Sequence, residues 1–156
     1  MMHVVGIGDI VISSDVNDSI VTHALGSCVA VTFHCPQTKV TGMIHIALPS
    51  RSTGQLINGK PGYYADEGLF SLINTLESHY QFRFGTAEIN VFGGAIPSKT
   101  PDIFKIGTRN LQAVDEILRS KNLRYQAYEV GGVVSRTIEL SVKNGEIKIK
   151  RQPLII

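Results

Sequence analysis

Two residues of this chain can make and break an acyl bond together. Cys28 stands at the lip of the apolar run Val29-Ala30-Val31, and His45 follows seventeen residues later in Met43-Ile44-His45-Ile46-Ala47-Leu48-Pro49. A cysteine attacks as its thiolate, which near neutral pH needs a neighbouring base or positive field. Two strands joined by a short turn can bring such a base alongside. Gly26-Ser27 immediately precede the cysteine; glycine permits a sharp turn, and backbone N–H groups exposed there are donors for an oxyanion. A plainer reading stands beside this one. An unpaired cysteine in an apolar strand commonly behaves as a small buried hydrophobe, and most histidines are not bases. The residues alone leave both open.

The elements that must position the pair read as follows. Residues 3–12 read as one strand with a potential break at Gly6-Ile7-Gly8, and 13–19 as a polar turn. Residues 20–22 re-enter the sheet, the Ala24-Leu25-Gly26-Ser27 turn follows, and strands over 28–34 and 40–48 make an antiparallel hairpin around Cys35-Pro36-Gln37-Thr38. The polar stretch from Pro49 to Gly62 is expected to be a flexible loop beside the site, since it leaves directly from the strand of His45. Leu69, Ile73, Leu76 and Tyr80 lay an apolar stripe along a helix over 65–80, with Asp66 and Glu67 in its first turn. A strand over 87–92 ends at Gly93-Gly94. A second helix over 108–120 turns Leu111, Val114 and Leu118 inward. A strand over 125–130 ends at Gly131-Gly132, and strands over 133–142 and 146–150 flank the hairpin signal Asn144-Gly145. Hairpins with two amphipathic helices make an α/β fold in which helices cover sheet.

Composition narrows the function classes. The chain has 156 residues, 43% hydrophobic and 18% charged, enough for one globular domain over 1–156 with a genuine core. A net charge of +2 with scattered Lys and Arg gives no footprint for nucleic acid. Without a membrane-length apolar run or a signal-peptide pattern, the expectation is a cytoplasmic protein with no membrane insertion. Cys28 and Cys35 should then be free thiols. No metal site is expected, because the two cysteines lack CxxC spacing and further ligands. Nor is a cofactor, because Gly6-Ile7-Gly8 lacks the third glycine and following helix of a dinucleotide fingerprint. A small redox or metal protein built on Cys28 and Cys35 is the residual competitor. His23 should point opposite to its strand neighbours and away from any site, and His3, His34 and His79 are read as solvated surface residues.

The run from Ile20 through Thr22 to Gly26-Ser27-Cys28-Val29-Ala30-Val31, with His45 in its strand, resembles the chemoreceptor glutamine deamidase family, CheD. The likeness continues through Gly6-Ile7-Gly8, Tyr64-Ala65-Asp66, Phe92-Gly93-Gly94-Ala95, Ile106-Gly107-Thr108-Arg109-Asn110 and Val130-Gly131-Gly132 with Arg136. It departs at Cys35, where the family usually has aspartate. The resemblance implies a three-layer sandwich of mixed β-sheets and helices in a single compact domain. It also implies a Cys-His-Thr triad of Cys28, His45 and Thr22, with Gly26 and Ser27 in supporting turn or oxyanion roles. The implied activity is deamidation of glutamines in methyl-accepting chemotaxis receptors through a thioester, together with hydrolysis of receptor methyl esters. The alternative it implies is a binding module that docks a CheC-type phosphatase with little or no catalysis.

Overall fold

The break at Gly6-Ile7-Gly8 divides the first expected strand between two different sheets. In the computed structural model, which describes residues 1–51, 57–97 and 104–154, β1 (Met2–Val4) and β2 (Ile10–Ser13) lie on either side of it. β1 pairs in parallel with β3 (Ser19–Leu25), which continues antiparallel to β8 (Val134–Ser141) and then β9 (Ile147–Pro153), giving the order β1-β3-β8-β9. β2 instead borders a five-stranded sheet of order β2-β5-β4-β6-β7, built with β4 (Val29–His34), β5 (Thr41–Ile46), β6 (Glu88–Gly93) and β7 (Gln126–Val130). The β6–β7 pair is parallel and the other pairs antiparallel, so both sheets are mixed.

Alternation along the strands sorts side chains into two cores. One face of the five-stranded sheet, with Val29, Val31, Phe33, Ile44, Ile46 and Val91, packs against α1 (Ala65–His79) and α2 (Ile106–Ser120). The other face, with Ala30, Met43 and Phe92, packs against Ile20, Ile138 and Leu140 of the four-stranded sheet. This is the three-layer arrangement that the resemblance implied. Leu69, Ile73 and Leu76 are buried as their stripe predicted, and so are Val114 and Leu118, with Leu111 partly buried beside them. Tyr80 departs from the expectation. It caps α1 and is 37% exposed, because the helix ends before completing that turn.

His34 is corrected too. Every residue of β4 and β5 is buried, since these central strands are covered on both faces, and alternation then says nothing about exposure. His34 Nδ1 shares a 2.8 Å hydrogen bond with Thr41 Oγ1. His3 is half-exposed and pairs with Asp18 at 2.8 Å, while His23 and His79 are exposed. Cys28 and Cys35 lie beyond opposite ends of β4 and are both free. About 20 Å of extended chain separates them, which removes the paired redox reading.

Two glycines from the resemblance motifs have steric reasons. Gly93 takes φ +98°, and a Cβ there would strike the Cys28 carbonyl oxygen. Gly107, in the first turn of α2, approaches the carbonyls of Gly94 and Ala95 so closely that a Cβ would run into both. Gly107→Ala should therefore destabilise the fold by about 1–3 kcal/mol through overpacking, although alanine is the better helix former. A urea midpoint equal to or above the parent's would contradict that packing.

Candidate active site

The site forms where the chain leaves one sheet for the other. β3 carries Thr22 on the face that holds Ile20, and Thr22 pairs with Ile138 of β8, so its side chain enters the space between the sheets. A register irregularity between Thr22 and Leu25, with Ala24 at φ +52°, bends the strand away. Gly26-Ser27-Cys28 then crosses to the five-stranded sheet, where β4 begins at Val29 rather than at Cys28 as expected. His45 of β5 sits opposite Ala30, and the last ladder pair is Val29 with Ile46. Cys28 lies one residue past that last pair and packs against the same inter-sheet cluster as Ala30, the residue opposite His45. Both face the inter-sheet core: Cys28 is half-buried against it, and His45 is 4% exposed.

Hydrogen bonding decides which imidazole nitrogen is basic. Thr22 Oγ1 donates to the Val5 carbonyl at 2.7 Å and contacts His45 Nδ1 at 2.7 Å. A hydroxyl has one proton, and a carbonyl can only accept. Thr22 therefore gives its proton to Val5 and accepts from His45 Nδ1–H. The remaining nitrogen, Nε2, keeps its lone pair, is buried, and has no hydrogen-bond partner among the described residues. His45 is thus held as a neutral imidazole with its acceptor free.

Burial sets the charge state of the pair. It pushes the Cys28 thiol above its ordinary value. It also lowers the pKa of His45, against smaller upward effects of the Val5 carbonyl and the Asp9 carboxylate. At neutral pH the resting site is thiol and imidazole, not an ion pair. The backbone of His45 is clamped by the preceding turn, with Gly8 N–H to His45 C=O at 2.8 Å and His45 N–H to Asp9 C=O at 3.1 Å. Lys60 Nζ reaches Asp9 at 2.9 Å, and Gly62 N–H bonds the Gly8 carbonyl. The far flank of the expected 49–62 loop therefore packs beside the site; the expectation of flexibility falls on residues 52–56, outside the described residues.

The turn before Cys28 is also secured. Ala95 N–H bonds the Gly26 carbonyl at 2.8 Å and Gly94 N–H that of Cys28 at 2.9 Å. Asn110 Nδ2 bonds the carbonyls of both Ser27 and Ala47 at 3.0 Å. Sequence reasoning assigned no role to Val5, Asp9 or Asn110. A signal existed for Asn110, which stands four residues before Val114 on the inward stripe of α2. Val5 acts through its carbonyl and leaves no mark in side-chain type. Among the described residues no three His, Cys, Asp or Glu side chains gather as metal ligands.

A family model described as CheD chemotactic sensory transduction matches residues 47–151. The chain belongs to the CheD family. Its relatives extend the likeness over the site. A "Probable chemoreceptor glutamine deamidase CheD" from Syntrophotalea carbinolica is 37% identical over 94% of this chain and 91% of its own length. One of the same name from Pyrococcus horikoshii is 34% identical over 94% and 90%. A "Chemoreceptor glutamine deamidase CheD" from Thermotoga maritima is 32% identical over 97% and 92%. The other CheD motifs of the sequence also have places here. Val130-Gly131-Gly132 returns toward the site through Gly131 N–H to the Gly93 carbonyl. Arg136, buried on β8, meets Glu129 of β7 across the sheets.

The burial shifts carry a measurable sign. His45, lowered from 6.5, binds fewer protons folded than unfolded, so it stays neutral as pH falls through 6.5 while acidification erodes stability. In a Cys35→Ser background, its NMR titration midpoint should lie below 6.5. Iodoacetamide labelling of Cys28 should rise with pH only above the usual thiol range. A His45 midpoint above 6.5, or rapid labelling at pH 6, would mean a preformed ion pair instead.

Proposed function

We propose that this CheD-family chain is a cysteine-dependent amidohydrolase that converts glutamine side chains of chemotaxis receptors to glutamate, acting in the cytoplasm on the receptors' helical domain. The observation that carries this reading is the unpartnered Nε2 of His45, with Nδ1–H committed to Thr22, beside a cysteine on the same face. The names of the relatives supply the substrate class.

In this mechanism the glutamine side chain enters the mouth beside Cys28. His45 Nε2 takes the thiol proton as Sγ bonds to the amide carbon, and the carbonyl electron pair moves onto oxygen. Because both partners begin neutral, proton transfer accompanies attack. The tetrahedral species collapses, the C–N bond breaks, and His45 returns the proton to departing ammonia. Water then gives a proton to Nε2 and its oxygen to the thioester carbon, which releases glutamate and restores the thiol. Thr22, anchored by the Val5 carbonyl, holds the ring and stabilises the imidazolium. A receptor methyl ester passes through the same thioester with methanol as leaving group. Gly26 and Ser27 shape the turn that presents Cys28, and no cofactor or metal takes part.

Intact mass of a receptor cytoplasmic fragment tests the reading, since each deamidation adds about 1 Da. Wild type and Cys35→Ser should produce the shift. Cys28→Ala should produce none, and His45→Gln should slow it by about 10²–10⁴-fold. Turnover surviving in Cys28→Ala would remove the nucleophile from the mechanism. Titration of wild type and Cys28→Ala against the fragment and a CheC-type phosphatase separates the alternative: binding without any mass change would assign a docking module.

A further inference from the structure

Asn110 lies where the two functional strands part. β4 and β5 are joined by a ladder as far as Val29 and Ile46, and the next residue on each side, Cys28 and Ala47, has left it. Into this fork α2 inserts one amide. Its Nδ2 donates to Ser27 C=O and to Ala47 C=O, each at 3.0 Å, and so replaces the missing rung. Asn110 is fully buried, and its Oδ1 has no partner among the described residues. An unsatisfied buried acceptor is costly. A leucine would fill an apolar helix stripe without that cost, so the amide is held for its two donors.

One of those bonds bears directly on chemistry. The Ser27–Cys28 peptide is planar and trans, so its C=O and N–H point in opposite directions. With the carbonyl turned toward Asn110, the Cys28 N–H is turned away from it. That N–H donates to no acceptor among the described residues. We infer that Asn110 is a positioning residue for acyl transfer: by holding the Ser27 carbonyl it sets the peptide plane and aims the Cys28 N–H as the oxyanion donor. The inference rests on the proposed thioester chemistry. As Sγ bonds to the carbonyl carbon and the thiol proton passes to His45 Nε2, the carbonyl π electrons become an oxyanion lone pair, and this N–H donates a hydrogen bond to that oxygen. The second bond, to Ala47, ties the strand of His45 to the same amide.

Two reagents separate this role from general support of the turn. Iodoacetamide alkylates a thiolate by displacement and forms no oxyanion. p-Nitrophenyl acetate acylates it through a tetrahedral oxyanion. Both reactions at Cys28 are followed by mass in a Cys35→Ser background. Asn110→Leu should slow acylation about ten- to hundredfold, less than the loss on deleting an oxyanion donor outright, while alkylation changes less than about twofold. Asn110→Asp, of the same shape but with a carboxylate facing two carbonyls, should show the same split and serves if the leucine variant does not fold. Equal losses in both reactions, or no loss in either, would overturn the role. Neither rate needs a receptor. A chain that fails to deamidate receptors while keeping the split would lose its proposed substrate, and Asn110 would keep its function.

Discussion

A single hydroxyl proton organises this molecule. Thr22 can give it to the Val5 carbonyl or to His45, not to both, and the carbonyl has no alternative to accepting. That choice fixes the imidazole as the Nδ1–H tautomer and leaves Nε2 free. The three partners come from different places: Val5 from just beyond β1, Thr22 from β3, and His45 from the other sheet. The bond is therefore made only when the two sheets pack. The apolar contacts of Ile20, Ile138 and Leu140 with Ala30, Met43 and Phe92 are the condition for the proposed chemistry as well as for stability.

The same packing sets the electrostatics. Removing thiol and imidazole from water disfavours both charged forms, so burial moves the cysteine up and the histidine down. A site of this kind is quiet at rest. Asp9 draws His45 the other way, but its carboxylate is shared with Lys60 and the Gly6 N–H, which temper its field. In the proposed reaction, protonation of His45 thus comes at the moment when sulfur bonds to carbon and a negative oxygen appears nearby.

The backbone around Cys28 is held by many weak constraints. The N–H groups of Gly94 and Ala95 take the carbonyls of Cys28 and Gly26 into a short hydrogen-bonded seam. Gly107 lets the first turn of α2 lie directly on that seam, and Asn110 reaches from the next turn into the fork between β4 and β5. Where a ladder ends, backbone groups lose their partners; here a helix supplies them. Arg136, Arg151 and Glu129 add a second, ionic tie between the sheets at the far strands.

Short-range pattern in the sequence was enough for most of the elements, although β3 runs through Leu25, where a turn from Ala24 was expected. Asn144-Gly145 ends one strand and starts another, Gly6-Ile7-Gly8 interrupts a third, and the stripes of Leu69, Ile73 and Leu76 and of Val114 and Leu118 are helical because apolar side chains recur with the helix period. Cys28 and His45 were legible from residue type and a short connection, whereas Thr22 was singled out only through the family resemblance. Tertiary structure decided the rest. No local rule sends β1 and β2, separated by a few residues, to different sheets, or buries His34 at the end of a strand covered on both faces. The role of Val5 lies in a carbonyl that every residue possesses, and that of Asn110 in a gap between strands distant from it in sequence. Periodicity reports which face of an element is apolar. Which faces meet, and which polar atoms find partners there, is settled only when the sheets and helices close on one another.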